Sequence, residues 1–285
     1  MLKQANHFTT DVLNKFDPPS GAHLGDTFHL PKLEPILFAQ SEISIWTGLN
    51  GHGKSLLLSQ LALDLCKAGV KVAVLSFEMT PARTLHRMTR QATAAYHPAD
   101  WLIIQALEWI GANIWINSAT GTGKPEAILR AFHQMAVDHG ITHFMIDSLM
   151  KCGIAEDDYN GQKMLVDRLQ NFAHHDKVHV HLVAHARKGQ DENGVPGKMD
   201  IKGTGTITDL ADNVLSVWRN KKKEFKTHEN NGQVPDDAVN QPDALLDVVK
   251  HRELGGDAEG RYGLFFHRDS MQFMGRPADG PHRYV

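Results

Sequence analysis

The chain has 285 residues, with 30 Lys+Arg against 33 Asp+Glu and a formal net charge of −3. That length suits one large domain or two small ones, and it can bury a full core without staples. Two cysteines, Cys66 and Cys152, are too few for a disulfide framework or a thiolate metal site, which fits a reducing compartment. The most apolar runs, Leu56–Leu65 and Trp101–Ile110, fall short of the roughly 18 residues that a spanning helix needs, so no membrane partner is expected. The opening MLKQANHFTTDVLNKFD lacks the apolar core and small-residue cleavage site of a secretory signal. A near-neutral balance neither announces nor excludes nucleic acid, because local basic loops would be enough.

Residues 1–40 read as a lead-in, with one short helix at Thr10–Phe16 and then Pro18, Pro19, Gly21, Gly25, Pro31 and Pro35 breaking any regular run. From Glu42 the pattern alternates. EISIWT (Glu42–Thr47) reads as a strand, and Lys54–Ala68 as a helix capped by Gly69. KVAVLS (Lys71–Ser76) is a strand. Thr80-Pro81 then opens a helix that runs to about Ala95. A helix over Ala99–Ile110, a strand over Asn113–Asn117 and a helix over Pro125–His139 follow, the last ended by Gly140. THFMID (Thr142–Asp147) is a strand, Gly161–Asp176 an amphipathic helix and VHVHLVA (Val178–Ala184) a strand. Three more strands are expected at Asn213–Arg219, Leu245–His251 and Arg261–His267. Lys188–Gly203 and Lys221–Pro242 carry no strong period and read as mobile loops. Strands alternating with helices predict an α/β fold, a mainly parallel sheet with helices on both faces. The final strands lack an intervening helix, which predicts an antiparallel extension at one edge. The expected organisation is a linker over 1–40, one domain over 41–275 and a tail over 276–285.

Gly48-Leu49-Asn50-Gly51-His52-Gly53-Lys54-Ser55 fits G-x-x-x-x-G-K-[ST] between a strand and a helix. Glycines let the backbone curl so that successive N–H groups face phosphate oxygens, and the following helix adds its positive end. The phosphate site is therefore expected at Gly48, Asn50, Gly51, His52, Gly53, Lys54, Ser55 and Leu56. Lys54 would reach the β- and γ-phosphates and Ser55 would ligate Mg²⁺. Asp147 ends the apolar strand HFMID, where a carboxylate would stand close to that metal. Glu78 follows KVAVLSF, and a carboxylate there could orient an attacking water, although a solvated Glu is equally common after a strand. His185 ends VHLVA, where it could bond a γ-phosphate or be a surface histidine. His174, His175, His179 and His181 lack a carboxylate or Cys at ligand spacing, and no structural metal is expected on them.

GLNGHGKS, SFEM, FMIDSL, LVAHARK, IKGTGTITDLADNVLSVWRNK and VVKHRELGG…EGRYGLFF, taken in order across about residues 42–267, resemble the ATPase domain of replicative hexameric helicases of the DnaB class. The resemblance extends to the phage primase–helicase and mitochondrial Twinkle subgroup. It implies a RecA-like three-layer core, ATP or another NTP as substrate with Mg²⁺, and a homo-oligomer in the form of a hexameric ring. It also implies single-stranded DNA as partner, 5′-to-3′ movement, a primase or polymerase as a further partner, and a cytoplasmic setting in a bacterium or phage-infected host cell. Within it, Glu78 looks like the catalytic base and His185 like the γ-phosphate sensor. Lys250 and Arg252 look like the pair delivered to the neighbouring subunit's site, Arg252 as the trans arginine finger. Arg219 and Phe266 match positions that flank the base. Arg187, Lys188, Lys198, Lys202 and Gly203 are the candidate DNA contacts, which would read backbone and not sequence. The alternative kept open is another RecA-like DNA-dependent ATPase, a recombination or accessory protein without unwinding activity.

Overall fold

The structure, a computed structural model, describes residues 2–16, 24–118, 121–155, 157–185 and 205–285. Among them, the strands are β1 (Glu42–Thr47), β2 (Val72–Ser76), β3 (Ile114–Ile116), β4 (His143–Asp147), β5 (His179–Val183), β6 (Asn213–Arg219), β7 (Ala244–His251), β8 (Gly260–His267) and β9 (Gln272–Met274). The helices are α1 (Thr9–Phe16), α2 (Lys54–Lys67), α3 (Pro81–Thr93), α4 (Asp100–Asn113), α5 (Pro125–His139), α6 (Tyr159–Asp176), α7 (Gly205–Leu210) and α8 (Lys221–Glu229). The sheet runs β3-β2-β4-β5-β1-β6-β7-β8-β9. Its first six members are parallel and its last three add antiparallel pairs, as the helix-free end of the sequence predicts.

Alternation along the central strand divides the core. Ile43 and Ile45 of β1 face one layer with Phe132 of α5, Leu165 and Leu169 of α6 and Ile207 of α7. Trp46 faces the other, with Leu57 and Leu61 of α2 and Ala106 of α4. α2 is buried nearly all round, from Leu57 to Cys66, because it lies between the sheet and the outer helices. Its apolar run is therefore continuous. α3 opens where its signals predict, with Pro81 in its first turn and Thr80 accepting the Arg83 N–H at 3.4 Å.

Residues 24–40 have little regular structure yet carry core side chains. Phe28, Leu33, Ile36 and Phe38 are buried against Trp46 and α2, and Asp26 bridges to Phe38. The same segment closes over a buried histidine group. The His143 ring accepts or donates at 2.9 Å to Asp26 and at 3.1 Å to His181, and Trp46 donates its indole N–H to His181 at 3.2 Å. His179 lies 2.8 Å from the Ser44 hydroxyl and 2.6 Å from the Ala39 carbonyl. Burial pushes His179 down to about 3 and His181 well below its ordinary value, so both rings are neutral core members. Asn213 joins this seam by donating to Glu42 at 3.0 Å and to Ser44 at 3.2 Å. Burial raises Glu42 to about 7.

Two features depart from the sequence reading. Lys221–Pro242 is not loop throughout, since α8 occupies Lys221–Glu229. Asn220 caps it by accepting the Lys223 N–H at 3.0 Å, and the buried Lys223 ammonium binds the Gln241 carbonyl at 2.6 Å and Asp243 at 2.8 Å. A lysine-rich string thus gains its helix from tertiary partners that local polarity does not reveal. β9 is the second. It is three residues long, and Gln60 of α2 binds it through both amide atoms, to the Phe273 carbonyl at 2.9 Å and from the Phe273 N–H at 2.7 Å. Among the described residues, no helix is long and apolar enough to cross a membrane.

Candidate nucleotide site

The parallel strands all point their carboxyl ends toward one rim of the sheet, and the loops leaving that rim bring the candidate residues together. β1 ends at Thr47, and the chain turns through Gly48 with φ +134°. A Cβ on Gly48 would lie 2.3 Å from the Val217 carbonyl oxygen of β6, so only glycine lets the loop leave β1 this close to its neighbour. Gly51 and Gly53 also have positive φ, and α2 starts immediately after Gly53. The loop therefore delivers a helix N-terminus to the rim, which suits an anion.

Lys54 is 5% exposed and donates its ammonium protons to the carbonyls of Gly48 at 2.8 Å and Leu49 at 2.9 Å. Burial lowers it to about 8, against the opposing pull of Asp147 and Glu78. Ser55 donates its hydroxyl to Asp147, at the tip of β4. Burial raises the Asp147 carboxyl, the Ser55 hydrogen bond lowers it, and Glu78 raises it further. These are adjacent hard oxygen donors of the kind Mg²⁺ takes, so this corner fits that ion. A small cleft bounded by Ser55, Ser76, Met79, Thr84 and Asp147 adjoins it.

Glu78 follows β2 and accepts the Ser148 hydroxyl at 2.9 Å. His185, just beyond β5, lies 3.5 Å from the same carboxylate oxygen, and its other ring nitrogen is buried with no hydrogen-bond partner among the described residues. The carboxylate is thus held from two sides, by the loops after β4 and β5. On the far flank, Arg219 at the end of β6 donates to the Gly51 carbonyl at 3.2 Å and pairs with Glu224, while its backbone N–H donates to His52 at 3.2 Å. Phe266 packs on Phe273 with ring centroids 5.3 Å apart, and the Phe273 ring borders Gly53. Phe273 escapes sequence reasoning because a lone aromatic in a three-residue strand carries no motif.

Lys54, Ser55, Glu78, Asp147, His185 and Arg219 therefore share one rim. Lys250 and Arg252 do not. Lys250 pairs with Val214 and His251 with Asn213, at the opposite end of β6 from Arg219. Six residue steps along β6 separate those ends by about 20 Å. Arg252 is paired to Asp212 at 2.6 Å there, half exposed on the outer side of the subunit. Arg187, Lys188, Lys198, Lys202 and Gly203 lie outside the described residues.

The sequence model of an AAA domain family matches residues 28–191, a stretch from the Phe28 core contact through the phosphate loop, Glu78, Asp147 and His185. Among solved structures, an ATPase domain from the DnaB-like replicative helicases superposes with a TM-score of 0.73 at 17% identity, covering 94% of this chain and 98% of that one. A DnaB-like replicative helicase, described with its interactions with primase, superposes at 0.74 and 17% identity, covering 96% of this chain and 67% of that one. The RecA-like α/β architecture expected from the motifs is the one these neighbours share. The chain therefore belongs to the AAA-domain family and has the fold of DnaB-like replicative helicase ATPase domains.

Proposed function

We propose that this chain is the motor domain of a replicative DNA helicase, a ring-forming translocase that hydrolyses ATP at subunit interfaces to move along single-stranded DNA. The observation that carries the reading is the meeting of Lys54, Ser55, Glu78, Asp147 and His185 at one rim, while Arg252 stands about 20 Å away on an outer edge. A phosphate loop, a metal-side acid and a water-orienting carboxylate in one subunit, with a guanidinium too distant to serve it, describe a pocket completed by a neighbour. The family membership and the helicase neighbours support the same reading.

In this mechanism the backbone N–H groups of Gly51–Ser55 and the start of α2 hold the phosphates. Lys54 exchanges the Gly48 and Leu49 carbonyls for β- and γ-phosphate oxygens, which returns its ammonium to a favourable partner. Ser55 and Asp147 would hold Mg²⁺, which when bound neutralises charge on the β- and γ-oxygens. Glu78 orients the attacking water and accepts its proton, with Ser148 and His185 fixing the carboxylate. His185 stands between that carboxylate and the chain leading to Arg187, so loss of the γ-phosphate alters its contacts where the DNA-contacting segment begins. Arg219 and the Phe266–Phe273 pair border the loop where the base would lie. Arg252 of one subunit stabilises the charge on the phosphoryl group transferred in the next. On this reading residues 41–275 form the motor, 1–40 link it to a neighbouring subunit, and 276–285 are a tail.

The test is ATP turnover by the full chain with and without oligo-dT, together with strand separation on a forked substrate. Lys54→Ala serves as the inactive control. DNA-stimulated turnover with ATP-dependent unwinding supports the proposal. Stimulated turnover without unwinding favours another RecA-like DNA-dependent ATPase, and no turnover at all refutes the motor reading.

A further inference from the structure

Lys250 and Arg252 stand two residues apart at the end of β7, but their partners differ. The Lys250 ammonium lies 2.6 Å from the Ala211 carbonyl, 3.1 Å from that of Asp209 and 3.4 Å from that of Thr208. These are the terminal carbonyls of α7, which its own helix leaves without donors. An ammonium has three N–H donors, and α7 with its following residue offers an acceptor for each. Asp212, 3% exposed, accepts the Ile43 N–H of β1 through one oxygen at 2.9 Å and pairs with the Arg252 guanidinium through the other at 2.6 Å. Its carbonyl accepts the Arg252 backbone N–H at 3.0 Å. A guanidinium carries five donors in a rigid fork, so one carboxylate oxygen holds it without filling it.

A bulge produces this arrangement. The β6–β7 register runs Val214–Lys250 and then Leu215–Val248, leaving Val249 unopposed. Val248 belongs to the core layer of α2, and Val249 packs on the layer of α6 and α7. Strict alternation would return Lys250 to the α2 side. The extra residue reverses that parity, turning Lys250 and Arg252 toward α7 and Asp212 while His251 points back to the Leu37 carbonyl at 2.9 Å.

We propose that Lys250 and Asp212 are positioning residues for Arg252. Together they clamp the end of β7 to the C-terminal turn of α7 and to β1, and so fix where the guanidinium stands on the outer face. The inference rests on the reading of Arg252 as the trans arginine, and it gives Lys250 a task inside its own subunit in place of a phosphate contact in the next one.

The experiment measures kcat and KM for ATP of the full chain on oligo-dT. The variants are Lys250→Met, Lys250→Arg, Asp212→Asn, the Lys250→Met/Asp212→Asn double, and separately Arg252→Ala. The expected result is a loss of about tenfold or more in kcat for Lys250→Met and Asp212→Asn, with KM within about twofold. Lys250→Arg, which keeps donors for the α7 carbonyls, should return to within about threefold of the parent, and the double should be no worse than its weaker parent. Parent-like kcat in both single variants overturns the proposal, as does multiplication of their losses in the double. A rise in KM with kcat kept overturns it too, because that is a lost phosphate contact. In each of those cases Arg252→Ala still loses stimulated turnover. If Arg252→Ala itself keeps full turnover, the trans reading fails and the positioning roles fail with it.

Discussion

Lys54→Met tests the idea that the phosphate loop holds an unfavourable interaction that nucleotide binding relieves. Lys54 is nearly fully buried, its ammonium has only two carbonyls as direct partners, and burial lowers it from 10.5 to about 8. At pH 7 the ammonium is charged both folded and unfolded, and the depression corresponds to about 3 kcal/mol of lost stability. Methionine keeps the length and packing of the side chain without the charge. Leaving the Gly48 and Leu49 carbonyls without that donor costs about 1 kcal/mol, so the variant should gain about 2 kcal/mol when measured without nucleotide. In a chain of this size that raises Tm by several degrees. The unfolded lysine binds its proton up to 10.5 and the folded one only up to about 8, so parental stability rises with pH across that window. The advantage of Lys54→Met should therefore be full below pH 8 and shrink above it. Denaturant titrations at pH 7 and 9.5 measure both, and nucleotide binding in the same variant should be lost. A variant less stable than the parent at pH 7, or an advantage that does not narrow with pH, refutes the reasoning.

Glu42→Gln removes a carboxyl that burial raises from 4.5 to about 7. The fold favours its protonated form, so the stability it contributes falls as pH rises from 4.5 to 7. Because the group is partly exposed and solvent-screened, the variant should gain about 1–2 kcal/mol at pH 8 and nothing at pH 4, read by thermal melting. Gly48→Ala places a methyl group against the Val217 carbonyl in a backbone conformation that alanine avoids. It should cost about 2 kcal/mol or more and abolish nucleotide binding, measured by denaturation and by titration with a fluorescent ATP analogue. Glu78→Gln should bind ATP like the parent while losing at least about a hundredfold in kcat, checked in single turnover.

The strands and the phosphate loop were legible because both obey local rules. Apolar runs of strand length marked β1, β4 and β5, and the glycines of the loop answer a steric demand seen directly at Gly48. Glu78 and Asp147 were legible as residues that end strands, since strand ends in a parallel sheet share a rim. What stayed hidden depends on distant partners. α8 needs Asp243 and the Gln241 carbonyl to bury Lys223, and β9 needs Gln60. The histidines of β4 and β5 read as scattered until Asp26 and Trp46 closed around them. The C-terminal residues look featureless in sequence, yet Tyr284 donates its hydroxyl to the buried Asp64 of α2 at 2.6 Å and its N–H to the Ala92 carbonyl at 2.9 Å. The bulge at Val249 has no sequence signature either, although it decides which way Lys250 and Arg252 face.

Subunit mixing tests the shared pocket most directly. Lys54→Ala subunits lack the phosphate-loop lysine and Arg252→Ala subunits lack the guanidinium, so each should be inactive alone. Random mixing at equal ratio pairs an intact loop with an intact guanidinium at about a quarter of interfaces, and the account predicts recovery of DNA-stimulated turnover up to about that fraction. A mixture as inactive as its components, or full turnover by Arg252→Ala alone, would contradict it.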